Sequence, residues 1–269
     1  MSGHPAGPPA LRASPRDRFT GVLGLLVVAA LAGVWWLQPA APASTGHAAP
    51  PPAVGSAIAP LASPPLVAAT GTVNPAVATQ ADGVTPVRWD PCREVRFVLN
   101  PAGAPPDAEA VLREGLATVS EATGLRLVLE GTTDEATDWE RPAYQPGRYG
   151  ERWAPVLVTW GRYGVADVDG VAGRAGPVPR QGPDGPQVYV SGQVWLSDDV
   201  FGGPGRADAG DRVHRRAVLL HELGHLVGLA HSDRPGDLMF AGNIGQTWLS
   251  DSDRAGFALM GGGPCVPEV

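Results

Sequence analysis

The pattern of hydrophobic and polar residues divides the chain into three stretches. Residues 19–37 form an apolar run without a charged side chain. Residues 38–84 are mostly Ala, Pro, Val, Ser and Gly, with neither helical nor strand periodicity. Residues 85–269 carry helix and strand patterns and are numerous enough to bury a substantial core. Because the middle stretch cannot bury a core, we predict a Pro/Ala-rich linker there.

The apolar run is long enough to cross a membrane. As a helix, residues 19–37 would span about 28 Å, close to the hydrocarbon thickness of a bilayer. Three arginines lie within residues 1–18, and no charged residue follows the run before Asp82. This asymmetry predicts a cytoplasmic tail at residues 1–18, a single-pass transmembrane signal anchor, and an extracellular domain.

A cleaved signal peptide is the alternative interpretation of the same run. Ala41-Pro42-Ala43 offers the small residues of a cleavage site, although the run is long for a signal peptide. Trp35 and Trp36 suit the aromatic belt at a membrane surface instead. Both interpretations export the domain, either attached to the cell membrane or secreted.

The periodicity of residues 85–269 predicts an α+β fold with one twisted mixed sheet. Strands are predicted at residues 95–99, 125–130, 156–160 and 188–196, the last bent at Gly192. A helix capped by Asp107 should run to Ala122 and stop at Gly124. Residues 161–186 are rich in Gly and Pro. A long helix should begin near Asp211 and bury Val218, Leu219, Leu223 and Leu226, and a final helix should close the domain.

The charge of the chain argues against one class of partner. The formal net charge is −7, and all twenty basic residues are arginine. No basic cluster is interleaved with aromatic residues, so we expect no nucleic-acid binding.

The last third of the chain contains metal-ligand residues at suitable spacings. His221 and His225 are four positions apart, so on a helix their side chains share one face, about 6 Å apart. A continuing helix would carry His231 to the other side. Gly228 is where the helix should end, because glycine adopts positive φ without a Cβ penalty. Three neutral imidazoles can then bind one Zn²⁺ and leave a coordination position for water, as in catalytic zinc sites.

Glu222 adjoins the first histidine but points too far around the helix to bind the same ion. Its carboxylate can accept a proton from a metal-activated water molecule and pass it to the leaving amine of a peptide bond. From the composition of this chain, the whole pattern should arise by chance in roughly one chain in 10⁵. The sequence therefore predicts a zinc-dependent endopeptidase with Glu222 as its catalytic residue.

The motif resembles the metzincin metallopeptidases, and most closely their matrixin branch. The resemblance rests on the residues from His221 to His231, on Ser232, and on Asp237-Leu238-Met239-Phe240. It implies that Met239 lies in a tight turn beneath the zinc, as a packing residue and not as a ligand. Residues 249–261 are also similar to the closing helix of that family.

Three features depart from the matrixin pattern. Matrixins often carry a second, structural zinc, but the other histidines here are His4, His47 and His214, and none suits such a site. His214 lies about 10 Å before the first ligand, too far to coordinate the same ion, so we interpret it as solvated or as a residue that contacts a ligand. Cys92 lacks the residues that flank the family's inhibitory cysteine, and phenylalanine follows Met239 where a tyrosine hydroxyl would otherwise be available.

The resemblance also implies a substrate site along an edge strand. Residues 170–175 should line the cleft, where an extended protein or peptide substrate would add as an extra strand and place its carbonyl over the zinc. A plain surface loop is the alternative for these residues.

Two further interpretations concern crosslinks and ions. In an exported chain, Cys92 and Cys265 predict a disulfide between the first strand and the C-terminal tail. Two free thiols, or Cys92 as a latent zinc-blocking ligand, are the alternatives. Calcium is a second candidate cofactor, because Asp167-Val168-Asp169-Gly170 and Asp198-Asp199 offer carboxylate oxygens. Neither group is a full ligand set, and turns use the same residues.

Two functions from different classes remain open. The first is an endopeptidase acting on extracellular proteins. The second is a catalytically inactive, zinc-stabilised extracellular binding module. The presence of Glu222 favours the enzyme, because a purely structural zinc site has no use for a base beside its ligands.

Overall fold

The computed structural model describes residues 57–67, 73–161, 172–182, 185–197, 209–242 and 245–269. The tail predicted at residues 1–18 and the anchor predicted at residues 19–37 lie outside these ranges. Within the described ranges, none of the helices combines the length and apolarity that a membrane span requires.

One six-stranded sheet forms the centre of the domain. Its strands are β1 (Arg88–Trp89), β2 (Val95–Leu99), β3 (Leu127–Thr132), β4 (Val156–Gly161), β5 (Gly173–Gln181) and β6 (Gln187–Ser197). Strands β1, β6, β4, β2 and β3 are parallel neighbours in that order, and β5 pairs antiparallel with β6. The expected mixed sheet is therefore confirmed, with parallel pairing predominant. Among the described residues β5 pairs only with β6, so it is an edge strand.

Four helices accompany the sheet in the described part of the chain. They are α1 (Ala108–Thr123), α2 (Pro146–Tyr149), α3 (Ala209–Val227) and α4 (Asp251–Gly261). Helices α1 and α3 approach closely at Gly115, where a Cβ would lie 3.0 Å from Leu219 Cδ2. The four α3 residues predicted to be buried all belong to the hydrophobic core, together with Phe97 on β2 and Phe257 on α4.

The strands follow the predicted ranges with small shifts. β2 has its predicted bounds, and β4 and β6 extend slightly further. β3 starts two residues late because the Leu125 amide donates to the Thr123 hydroxyl instead of to a neighbouring strand. The bend at Gly192 stays a prediction; the register of β5 and β6 shifts close to it, where Val178 pairs with Ser191 and Pro179 pairs with Tyr189.

The expected edge strand forms, but at a different position. β5 begins at Gly173 and continues to Gln181, well into the Gly- and Pro-rich stretch. Gly170 and Val171 lie outside the described residues. Glycine at position 192 on the neighbouring strand permits this packing, because a Cβ there would lie 2.7 Å from the Gly176 carbonyl oxygen and 2.8 Å from Leu226 Cδ1.

Asp107 does not cap helix α1, contrary to the prediction. Its side chain makes no capping hydrogen bond. The carboxylate instead accepts a hydrogen bond of 2.8 Å from Arg215, which is buried on α3. Leaving a buried guanidinium without a charge partner costs more free energy than leaving a helix end without a side-chain cap. The other end is as predicted, since Gly124 adopts a left-handed conformation with φ 76°.

The segment before residue 85 is only partly a linker. The Val77 amide donates to the Gly228 carbonyl at 2.9 Å, and the Ala230 amide donates to the Pro75 carbonyl at 2.8 Å. The linker predicted over residues 38–84 is therefore wrong for its last part. Composition predicted it to be unstructured, but a short backbone pairing with the chain after α3 requires no apolar side chains.

A disulfide joins the two ends of the domain. Cys92 and Cys265 are bonded with their Cα atoms 5.4 Å apart, and the bond closes a sequence separation of 173 residues. In the chain-entropy model, closing so long a loop contributes up to ~5 kcal/mol of stability. Neither cysteine is therefore a free thiol or a zinc-blocking ligand in this structure.

Candidate metal centre

Three histidine rings converge beside helix α3. Nε2 of His225 lies 3.1 Å from Nε2 of His221 and 3.1 Å from Nε2 of His231. Two nitrogens bound to one tetrahedral zinc ion at about 2.0–2.1 Å would be about 3.3 Å apart. The structure thus brings the three histidines of the motif together at the separations that one zinc ion requires.

Gly228 allows the chain to turn back after the helix. Helix α3 ends at Val227, and Gly228 has φ 112°, a conformation that favours glycine. A Cβ at this position would also lie 2.5 Å from Met260 Cε. The Leu229 amide donates to the Gly224 carbonyl at 2.9 Å, which completes the helix end and directs the chain back towards the metal site.

The other ring nitrogens fix two of the rings in a metal-binding form. His221 Nδ1 lies 2.7 Å from the Leu238 carbonyl oxygen, and His225 Nδ1 lies 2.8 Å from the Leu229 carbonyl oxygen. A carbonyl oxygen only accepts, so Nδ1 carries the proton in both rings. Each Nε2 therefore presents its lone pair to the metal.

Burial keeps the three rings neutral. Together with the neighbouring histidines, it lowers the pKa of His225 to about 3 and that of His231 to about 4. The pKa of His221 is also lowered, again mainly by burial. Metal binding requires deprotonated imidazoles, so these shifts favour a bound cation over protons near neutral pH.

Glu222 lies deep beside the histidines with an unsatisfied oxygen. Its side chain is 5% exposed, and among the described residues Oε2 has no hydrogen-bond partner. Burial raises its pKa to about 8. A divalent cation held by the neighbouring imidazoles would lower this pKa again and leave the carboxylate ionised.

Gly173 brings the edge strand over this carboxylate. A Cβ at residue 173 would lie 2.8 Å from Glu222 Oε1 and 2.7 Å from its Cγ. The first residue of β5 therefore has to be small to fit against the Glu222 carboxylate. The sequence placed Gly173 on the edge strand but gave no sign of this contact.

Met239 packs beneath the helix that carries the ligands. It is fully buried, and a Cβ at Gly224 would lie 2.9 Å from Met239 Cε. A glycine between the two helical histidines thus makes room for the methionine. This contact agrees with the packing role that the family resemblance implies for Met239.

Two carboxylates hold the turn that contains Met239. Asp253 accepts hydrogen bonds from the Leu238 amide at 2.7 Å and from the Met239 amide at 3.3 Å. Asp237 accepts from Ser232 at 2.5 Å and from Ser250 at 2.7 Å. These acids are buried and position the turn that follows His231.

Sequence reasoning did not identify the roles of these acids. A signal for one of them was present, because Ser250 and Asp253 have the spacing of a capping box, and the structure forms that box at the start of α4. Asn74 also joins the group, donating to Asp253 at 2.8 Å and accepting from Arg234 at 2.9 Å. Nothing in the local sequence around Asn74 indicates this contact.

The remaining candidate residues do not form a second metal site in the described ranges. His214 is exposed. The aspartates proposed for calcium, at residues 167–169 and 198–199, lie outside the described residues. The other described group with metal-ligand atoms consists of Asp90, Cys92 and Cys265, and both of its cysteines are used in the disulfide.

The fold and the histidine site have the arrangement that the metzincin resemblance implies. Residues 133–259 match the family model of matrixin. The resemblance that the motif carries is thereby confirmed. No curated protein compared with the chain gave a significant match.

Proposed function

We propose that this protein is a zinc-dependent endopeptidase that hydrolyses peptide bonds of extracellular proteins. The observation that carries the proposal is the convergence of three imidazole Nε2 atoms beside a buried carboxylate with an unsatisfied oxygen. A structural zinc site would be closed by a fourth protein ligand. It would hold no water molecule from which Glu222 could accept a proton.

The chemistry divides between the ligands and the base. His221, His225 and His231 would hold Zn²⁺, which when bound polarises a carbonyl and lowers the pKa of a water molecule. Glu222 would accept a proton from the attacking water molecule and deliver it to the leaving amine. Phe240, which follows Met239, has no hydroxyl with which to stabilise the developing negative charge.

The edge of β5 that has no partner strand among the described residues is the proposed substrate site. Its first residue, Gly173, contacts Glu222, so a peptide paired with this edge would pass directly over the base. Pairing through backbone groups accepts many side-chain sequences, which suits cleavage of extended protein segments.

We also propose that the domain acts outside the cell, held by the anchor predicted at residues 19–37 or secreted after cleavage. The apolar run and the arginines before it support export. The bond between Cys92 and Cys265 agrees with an oxidising compartment.

Cleavage assays on the purified full-length chain test the enzyme. With a mixed peptide library, we expect cleavage that a zinc chelator abolishes and added Zn²⁺ restores. Glu222→Ala should lower kcat/KM by at least about 10²-fold while zinc remains bound, because proton transfer is lost but the ligands are kept. Glu121→Ala, at an exposed position on α1, is the matched control and should leave kcat/KM unchanged.

Zinc binding without cleavage would contradict the proposal and favour the inactive binding module. Cleavage that persists in Glu222→Ala would contradict the role of Glu222 as the base.

A further inference from the structure

One hydrogen bond determines which backbone groups of β5 face the free edge. The Ser197 amide donates to the Ala172 carbonyl at 3.0 Å, so residue 172 directs its polar groups towards β6. Directions alternate along an antiparallel strand. The backbone N–H and C=O groups therefore also point towards β6 at Arg174 and Gly176. They point away from β6 at Gly173, Ala175 and Pro177.

The contacts of Gly176 and the prolines agree with this assignment. The Gly176 carbonyl oxygen lies close to the backbone of Gly192 on β6. Proline has no N–H, and within sheets it is tolerated where that group would point to an open edge. Pro177 occupies such a position, and Pro179 follows just after the register shift.

We propose that Pro177 and Pro179 limit how far a substrate backbone can pair with this protein. The inference rests on the proposed function and specifies its substrate site. Gly173 and Ala175 each offer an N–H donor and a carbonyl acceptor to a peptide strand, whereas the edge beyond them lacks donors at both prolines. Substrates are recognised as extended chain over the short stretch beside Glu222, and farther residues add little affinity.

The restriction has a structural benefit as well. A long unpaired edge with a complete set of donors and acceptors is a template for pairing with other chains, and proline on the edge prevents this. The open stretch is thus confined to the two residues nearest the base, where pairing serves catalysis.

Peptide affinity as a function of length tests the proposal. The protein is full-length zinc-loaded Glu222→Ala, so that bound peptides stay intact, and the probes are a peptide cleaved by the native chain and its extensions, two residues at a time, in each direction. We expect affinity to stop rising once the peptide passes Ala175. Adding Pro177→Ala restores one donor and should strengthen binding of the extended peptide by about threefold to tenfold in one direction only, leaving the short peptide unchanged.

Two further variants keep the test decisive. Ala175→Pro removes a donor from the open stretch and should weaken short and long peptides alike. Pro264→Ala, at an exposed position outside β5, should change neither. Equal length dependence with and without Pro177→Ala, or no effect of Ala175→Pro, overturns the proposal.

The outcome also separates this inference from the proposed function. If the native chain cleaves no peptide, a peptide from the library that binds to Glu222→Ala replaces the substrate. Its affinity as a function of length then still tests whether the prolines limit pairing with β5. If no peptide is cleaved or retained, both proposals fail.

Discussion

At the scale of single residues, the most demanding contact in the site joins Gly173 to Glu222. The backbone of the edge strand lies so close to the carboxylate that a methyl group at residue 173 would collide with it. Glu222 is buried, so its side chain has little space into which to move. The position of the base therefore depends on a glycine on a different element.

Gly173→Ala should consequently reduce catalysis without reducing metal binding. A displacement of the base by about 1 Å can cost about 10²-fold in rate, so we expect kcat/KM to fall by at least about tenfold. The zinc content, measured by atomic absorption, should stay at the native level because the three ligands are untouched. Gly176→Ala is the control on the same strand, since a Cβ there meets nothing within 4 Å. Equal losses in the two variants would contradict this explanation.

The convergence of the three histidines could be predicted from sequence because their geometry is local. His221, His225 and His231 lie within eleven residues, and one helix followed by one glycine turn brings them together. The contact between Gly173 and Glu222 could not be predicted in the same way. It depends on how β5 pairs with β6 and how the sheet packs on α3, which no local pattern of residues specifies.

At the scale of elements, the turn between His231 and α4 is stabilised by polar contacts around Asp237. Burial acts to raise the pKa of Asp237, but hydrogen bonds from Ser232, Ser252, Arg234 and Ser250 outweigh it and lower the pKa to about 2. The ionised carboxylate thus connects the chain just after the third ligand to the beginning of the last helix.

Asp237→Asn should destabilise the protein in a pH-dependent way. The folded-state pKa lies below the unfolded value of about 4, so the charge contributes stability above about pH 4 and loses it as the pH falls towards 2. We expect the variant to unfold about 1–3 kcal/mol more easily at pH 7, with the difference shrinking below pH 4. Urea unfolding at pH 7 and near pH 3 measures this. Asp233→Asn, an exposed neighbour, serves as the control, and a pH-independent difference would refute the electrostatic origin.

Elements with strong periodicity were predicted well, and those without it were not. β2, α1 and α3 carry apolar residues at strand or helix spacing, and their positions followed from that spacing. β5 contains Gly173, Gly176, Pro177 and Pro179, and its register is set by β6 and not by its own composition. The capping role assigned to Asp107 failed because Arg215, distant in sequence, competes for the carboxylate.

At the scale of the whole molecule, the metal site depends on a segment that composition assigned to a linker. Asn74 bonds to Asp253 across 179 residues, and Asp253 in turn holds the amides of Leu238 and Met239. Residues 75–77 also pair with the backbone just after α3. A domain boundary at residue 85 would therefore remove part of the support for the third histidine.

Truncation can separate the supporting segment from the linker before it. A chain starting at residue 73 loses the hydrogen bonds from the Ala57 and Leu61 amides to the Cys92 and Pro91 carbonyls but keeps those of residues 74–77, so it should be only slightly less stable than a chain starting at residue 57. A chain starting at residue 85 should lose at least about 2 kcal/mol, because several hydrogen bonds are removed and a buried carboxylate loses a donor. For a domain of this size, that loss corresponds to a midpoint lower by about 4–8 °C.

The point variant Asn74→Ala in the full chain tests the same contact without truncation. It should reproduce part of the loss of stability, and it should also weaken zinc binding, since a looser turn holds His231 less firmly. Val77→Ala, whose backbone hydrogen bond is kept and whose side chain is half exposed, is the matched control. Calorimetric melting and competition with a chelator measure the two effects. If Asn74→Ala melts like the control and binds zinc equally well, the segment around Asn74 does not support the metal site. The domain could then begin at residue 85 without loss of zinc binding.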